Sequence, residues 1–336
     1  MRLPRNAVLP ALAVAAIALA LGLAACGEKS EETTAAERTP LTLTLDFYPN
    51  PDHAGIYMAE KLGYFDDAGL DVSIETPSDP AAPIKQVAAG RSDLAISYEP
   101  EVLLANEKGL DVVAVGAVVN RPLTSMIWLK ESGVKGVADL RGKTIATAGI
   151  PYQDAYLKTI LARANLSPES VKTVNVGFGL LPAILGGQAD AMLGGFRNVE
   201  GVDLQMRGKD PVVTPVDQLG VPTYDELVLV ANRERLEEDP EPYRLFLAAL
   251  ARGTAAAVKS PAATVDALVA ANGDLDPKLT RAEVDATLPL LSADGKMNSA
   301  EWEAFIAWMN ENELIASQPA PSQVLSNAYL PGRIAE

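Results

Sequence analysis

The twelve residues from Asp46 to Tyr57 read DFYPNPDHAGIY and hold His53, the single histidine of the 336-residue chain. A lone imidazole excludes a polyhistidine metal site, and it serves a Ser-His-Asp relay only where a serine and an aspartate converge on that ring. Recognition or structure remains, since a neutral ring donates from one nitrogen and accepts at the other. Phe47 ends an apolar run and suits either the core or stacking on a heteroaromatic ring. Asn50 either fixes the turn through its amide or offers a donor and an acceptor to a ligand edge. Asp52 falls where a helix N-cap is expected. His53 then stands at a cleft mouth beside a positive helix terminus, which disfavours imidazolium.

Other positions can meet this turn. Tyr98 and Glu99 follow the run DLAIS and precede Pro100; the acid suits a helix dipole, and the Tyr98 ring is expected to face a cleft. Tyr152 follows Gly149-Ile150-Pro151 and supplies a second aromatic wall. In FRNVEGVDL, Glu200 reads as a surface helix carboxylate, and Arg197 either brings a positive charge to the cleft or pairs with Glu200. Two motifs carry less. Gly177-Phe178-Gly179 invites a phosphate-loop reading, but Pro182 replaces the third glycine of GxGxxG, which argues against a nucleotide fold. SADGKMNSAEWE imitates a calcium loop, yet Leu290 stands at the first ligand position, so Asn298 and Glu301 read instead as a capping box for a helix over Trp302 to Met309.

These residues need a frame that brings distant turns together. Strand-like runs at 41–47, 70–76, 93–97 and 110–119 alternate with helical stretches; a second series has strands at 143–149, 171–176, 190–195 and 211–216. ELVLVAN at 226–232 reads as a returning strand, followed by helices. Alternating strands and helices predict parallel α/β sheets, and roughly 300 folded residues exceed one small core, so two lobes are expected. Gly90 to Asp93 and Gly187 to Asp190 repeat one order: helix, Gly, two residues, Asp, strand. The glycines suit helix C-caps. If the lobes face each other, Ser97-Tyr98-Glu99 and Gly194 to Glu200 leave equivalent strand ends, where ligands of open α/β sheets lie.

Residues 1–25 carry Arg2 and Arg5 and then a long Ala/Leu/Val run, the pattern of a signal peptide. Leu23-Ala24-Ala25-Cys26 resembles the bacterial lipobox, which implies cleavage before Cys26 and diacylation of its thiol. Cys26 is the only cysteine, so no disulfide framework is available. Residues 26–39 read as a flexible tether. Without Arg2 and Arg5 there are 26 basic against 44 acidic residues, a formal charge of −18, which argues against nucleic acid as a partner.

DFYPNPDHAGIYMAEKLGYFDDAGLDV, GRSDLAISYE, GGFRNVEGVDL and VPTYDELVLVAN together resemble the NMT1/THI5-like solute-binding proteins, a group that includes thiamine-pyrimidine and riboflavin binders. The resemblance runs from about Leu41 to Asn232. It implies an α/β type II periplasmic-binding-protein fold with a ligand cleft between two lobes. Lobe 1 comprises 40–121 and 227–336, lobe 2 comprises 122–226, and the hinge lies near Asn120–Leu123 and Asp225–Leu227. Phe47, Asn50, His53, Tyr98, Tyr152 and Glu200 form the expected ligand-binding set. Related sequences usually carry Trp where Phe47 stands. The family also contains pyrimidine synthases that use pyridoxal phosphate, a histidine in this turn and an iron-linked cysteine cluster; His53 matches the histidine, and no cysteine cluster exists here. The expectation is therefore a monomeric, lipid-anchored extracytoplasmic protein without cofactor or chemistry of its own. It would capture a thiamine-precursor pyrimidine, formylaminopyrimidine or hydroxymethylpyrimidine, and deliver it to an ABC permease and its ATPase. Riboflavin or an alkyl sulfonate is the alternative on the same fold.

Overall fold

The computed structural model describes residues 38–332. The 1–25 segment, Cys26 and nearly all of the tether lie outside the described residues. Lobe 1 begins with β1 (Thr39–Thr44), β2 (Leu70–Glu75), β3 (Leu94–Ser97) and β4 (Val112–Val119). The chain then builds lobe 2 from β5 (Thr124–Leu129), β6 (Thr144–Thr147), β7 (Lys172–Asn175), β8 (Ala191–Phe196) and β9 (Pro211–Pro215), and returns through β10 (Leu227–Asn232). The sheet orders are β2-β1-β3-β10-β4 and β7-β6-β8-β5-β9. In the first, β10 runs antiparallel to β3 and β4; in the second, β5 runs antiparallel to β8 and β9. The two sheets therefore share one plan.

Sheet position explains the strand sequences. β4 is VVAVGAVV and buried along its whole length, the continuous apolar run of a strand covered on both faces. β5, TSMIWL, is equally buried and lacks alternation. It is the strand the sequence pattern does not predict.

Two crossovers join the lobes. The buried Glu226 carboxylate accepts the Leu123 and Thr124 N–H groups at 2.7 Å each, the Thr124 hydroxyl at 2.8 Å and the Tyr224 hydroxyl at 2.9 Å. One side chain thus ties both crossovers together, and these four donors compensate a carboxyl that burial pushes up. Beside it, Trp302 Nε1 donates to Asp225 Oδ2 at 2.6 Å, and the Asp225 N–H donates to Glu99 Oε2 at 2.7 Å. Glu99 thus braces the second crossover. Trp302 belongs to the Ser299–Glu311 helix, where Asn298 accepts from the Ala300 N–H. The expected capping box is not formed, because Glu301 turns outward to Arg121 at 3.0 Å. Among the described residues, no helix is long and apolar enough to cross a membrane.

Candidate functional site

The loop after β1 is folded around Asp46. Its Oδ1 lies 2.9 Å from His53 Nε2, and its Oδ2 accepts the Tyr98 hydroxyl at 2.9 Å. His53 Nδ1 accepts the Asn50 N–H at 3.2 Å, which leaves Nε2 to carry the hydrogen and donate to Asp46. Both ring nitrogens are engaged and the ring is wholly buried. The expectation of a histidine presented at the cleft mouth is corrected: His53 braces the loop from behind and does not line the cavity.

Asn50 caps the short turn Pro51–His53 by accepting the Asp52 N–H at 2.8 Å, while its Nδ2 donates to Tyr48 O. Asn50 therefore takes the capping place expected of Asp52. Asp52 Oδ1 instead receives Asn198 Nδ2 of lobe 2 at 2.8 Å, and the same nitrogen lies 2.8 Å from Thr287 Oγ1. This amide bridges the lobes inside an acidic neighbourhood. Burial, then Glu200, Asp203 and Asp52, push the Glu283 carboxyl up to about 8. Burial outweighs the Asn198 bond and raises Asp52 well above its usual range.

Between the lobes lies a narrow cavity. Phe47, Asn50, Tyr98, Tyr152 and Glu200 all line it, so five of the six expected residues meet in one place. Tyr98 and Tyr152 are almost completely buried, with ring centroids 5.6 Å apart and planes tilted by 58°. A ring slotted between two others needs roughly 7 Å, two carbon contact distances. Tyr152 therefore does not stand as a second wall opposite Tyr98: the two tyrosines touch and form one surface, with Phe47 forming another. Phe47 is half-buried and meets Phe178 of lobe 2 edge-on at 4.7 Å. Glu200 begins the Glu200–Met206 helix, and its Oε2 accepts the Phe196 N–H at 2.7 Å. Burial pushes its carboxyl up to about 7, against the lowering effect of that bond. Arg197 does not line the cavity, and its Nε is buried without a partner among the described residues. The sequence reading also misses Ile150, Gln153, Leu180 and Phe196 on the cavity wall.

Comparison with known proteins agrees with this architecture. A family model described as NMT1/THI5 like matches residues 50–264. The formylaminopyrimidine-binding protein of Halalkalibacterium halodurans is 35% identical over 312 residues, covering 90% of this chain and 94% of that protein. The 4-amino-5-hydroxymethyl-2-methylpyrimidine phosphate synthase of Legionella pneumophila is 27% identical over 297 residues, covering 88% and 93%. The alkanesulfonate-binding protein SsuA from Xanthomonas axonopodis pv. citri bound to MOPS superposes with a TM-score of 0.69 at 18% identity, covering 87% and 99%. That likeness shows the fold, two α/β lobes of the periplasmic-binding type. By the family match and the 35% identity across nearly its whole length, this chain belongs to the NMT1/THI5-like family.

Proposed function

We propose that this chain is the extracytoplasmic solute-binding component of an ABC importer, held to the membrane by a lipid on Cys26. Its solute is a thiamine-precursor pyrimidine, formylaminopyrimidine or hydroxymethylpyrimidine. The observation that carries the reading is the interlobe cavity, which combines the aromatic surfaces of Phe47, Tyr98 and Tyr152 with one carboxylate at Glu200. Phe196 occupies one Glu200 oxygen, leaving the other to accept from an exocyclic amine. The relative named for formylaminopyrimidine supports the same ligand class.

Calorimetric titration of formylaminopyrimidine, hydroxymethylpyrimidine, riboflavin and an alkyl sulfonate tests this directly. The aminopyrimidines should bind, and Glu200→Gln should weaken them by about 1.5 to 3 kcal/mol, the range of a hydrogen bond to a charged group. Riboflavin or sulfonate binding in the absence of any pyrimidine binding at millimolar concentration would remove the ligand assignment. Cys26→Ser should release the protein from membranes with its affinity unchanged; continued full membrane association would count against the lipid anchor.

The rival reading is a pyrimidine synthase, as several relatives are named. Against it stands His53, whose nitrogens are both taken inside the loop, and the absence of any cysteine besides Cys26. Pyrimidine formation by the purified protein, lost in His53→Gln, would favour that rival.

A further inference from the structure

We infer that Gln153 is the cleft's ligand-reading donor, and that it selects planar solutes presenting an acceptor, a ring nitrogen or carbonyl oxygen, in addition to the amine read by Glu200. This rests on the binding reading above and names the second chemical feature of its ligand.

Gln153 is the second residue of the Tyr152–Arg163 helix and is 1% exposed. Its Oε1 accepts the Ala148 N–H at 3.0 Å and the Ile150 N–H at 3.4 Å. Backbone N–H groups only donate, so these contacts fix which end of the amide is oxygen: it faces the 148–150 loop, and the nitrogen is the remaining end. Among the described residues that nitrogen makes no hydrogen bond, and it is not a sealed, unpartnered buried atom. Gln153 lines the cavity, and so does its neighbour Gly194. A Cβ on Gly194 would lie 2.3 Å from Gln153 Nε2, and its φ of +112° suits glycine alone. Glycine there keeps the amide's space clear.

The consequence is a preorganised donor. Its orientation is set before a ligand arrives, so little side-chain entropy is lost on binding. A buried donor also discriminates strongly, because a ligand without an acceptor leaves it unpaired. Glu200 supplies the opposite sense from the same lobe, an acceptor whose second oxygen is held by Phe196. A flat solute with a ring nitrogen and an exocyclic amine satisfies both; an arene of the same shape satisfies only the carboxylate.

The test replaces the donor while keeping its tether. Gln153→Glu retains an oxygen for the Ala148 and Ile150 N–H groups and turns the free end from donor to acceptor at constant volume. Gln153→Met keeps bulk and removes both functions. Titration calorimetry at pH 8 would compare hydroxymethylpyrimidine with the aniline isostere in which both ring nitrogens are C–H. Wild type should prefer the pyrimidine about tenfold or more. Both variants should lose most of that preference by weakening the pyrimidine alone, with thermal unfolding showing that they fold. A folded Gln153→Glu that keeps the preference overturns the inference; if it does not fold, Gln153→Met decides in its place. Wild type that binds both compounds equally also overturns it, with the binding reading intact. Wild type that binds no pyrimidine overturns the ligand reading and this inference together.

Discussion

In lobe 1 the Asp93 carboxylate accepts the Thr42 N–H at 2.8 Å, and the Asp93 N–H returns to Thr42 O at 3.0 Å. In lobe 2 Asp190 makes the same pair with Thr144, at 2.9 and 2.8 Å. Each aspartate follows a glycine at positive φ, Gly90 at +66° and Gly187 at +69°, which ends the preceding helix. One device thus sets β3 beside β1 and β8 beside β6. Past the strand ends the lobes differ. Lobe 1 closes its polar groups on one another: Asp46 holds His53 and Tyr98, and Asn50 holds its own turn. Lobe 2 anchors one end of Gln153 and of Glu200 to backbone N–H groups and leaves the other end toward the cavity. Aromatic surface comes from both sides, whereas the polar reading proposed above comes from lobe 2.

Asp46→Ala should break this contrast most severely. It strands the His53 N–H and the Tyr98 O–H in the interior, each costing about 1–3 kcal/mol, so roughly 2–6 kcal/mol of stability should be lost. Urea unfolding would measure it. A loss below about 1 kcal/mol would mean that the bracing of lobe 1 is not structural.

Glu200→Gln should behave in the opposite way, with weaker binding and a fold at least as stable. The sign follows from burial. The unfolded carboxyl titrates near 4.5 and the folded one at about 7, so the stability contribution is complete below pH 4.5 and is lost as pH rises through about 7. Wild type should therefore unfold at lower temperature at pH 8 than at pH 5. Glu200→Gln should flatten that slope, because its amide does not ionise. Equal slopes in the two proteins would show that the carboxyl is solvated like a surface acid.

The sequence makes the frame legible because β-strands of both sheets announce themselves as short apolar runs between helices. β5 escapes because it follows β4 after only four residues, with no helix between them to mark it off, and it pairs only with distant β8 and β9. The cavity residues at strand ends are legible for a related reason: Tyr98 and Glu200 follow recognisable strands. The role of His53 is not. Its partners, Asp46 at seven residues and Asn50 at three, form a loop-internal pattern with no period, and only the folded loop turns the ring inward. Gln153 is hidden similarly. A glutamine at the start of a helix after Gly-Ile-Pro is the only hint that its side chain folds back onto the loop.

The smallest effect should come from Phe47, and it sharpens the comparison because this ring stands where the lobes meet. Phe47 is half-buried and touches Tyr48 and Phe178, with centroids at 5.6 and 4.7 Å. A core phenylalanine replaced by alanine costs about 3–5 kcal/mol of stability. An aromatic wall at a cleft contributes instead about 0.5–1.5 kcal/mol beyond burial to a stacked ligand. Phe47→Ala should therefore weaken pyrimidine binding by roughly twofold to twelvefold while shifting stability much less than Asp46→Ala does. Phe47→Trp, with a larger ring face, should keep or tighten binding. Paired calorimetry and unfolding on the two variants separate the roles: a large stability loss in Phe47→Ala with unchanged affinity would assign the ring to the lobe 1 core and leave Tyr98 and Tyr152 as the aromatic surface of the site.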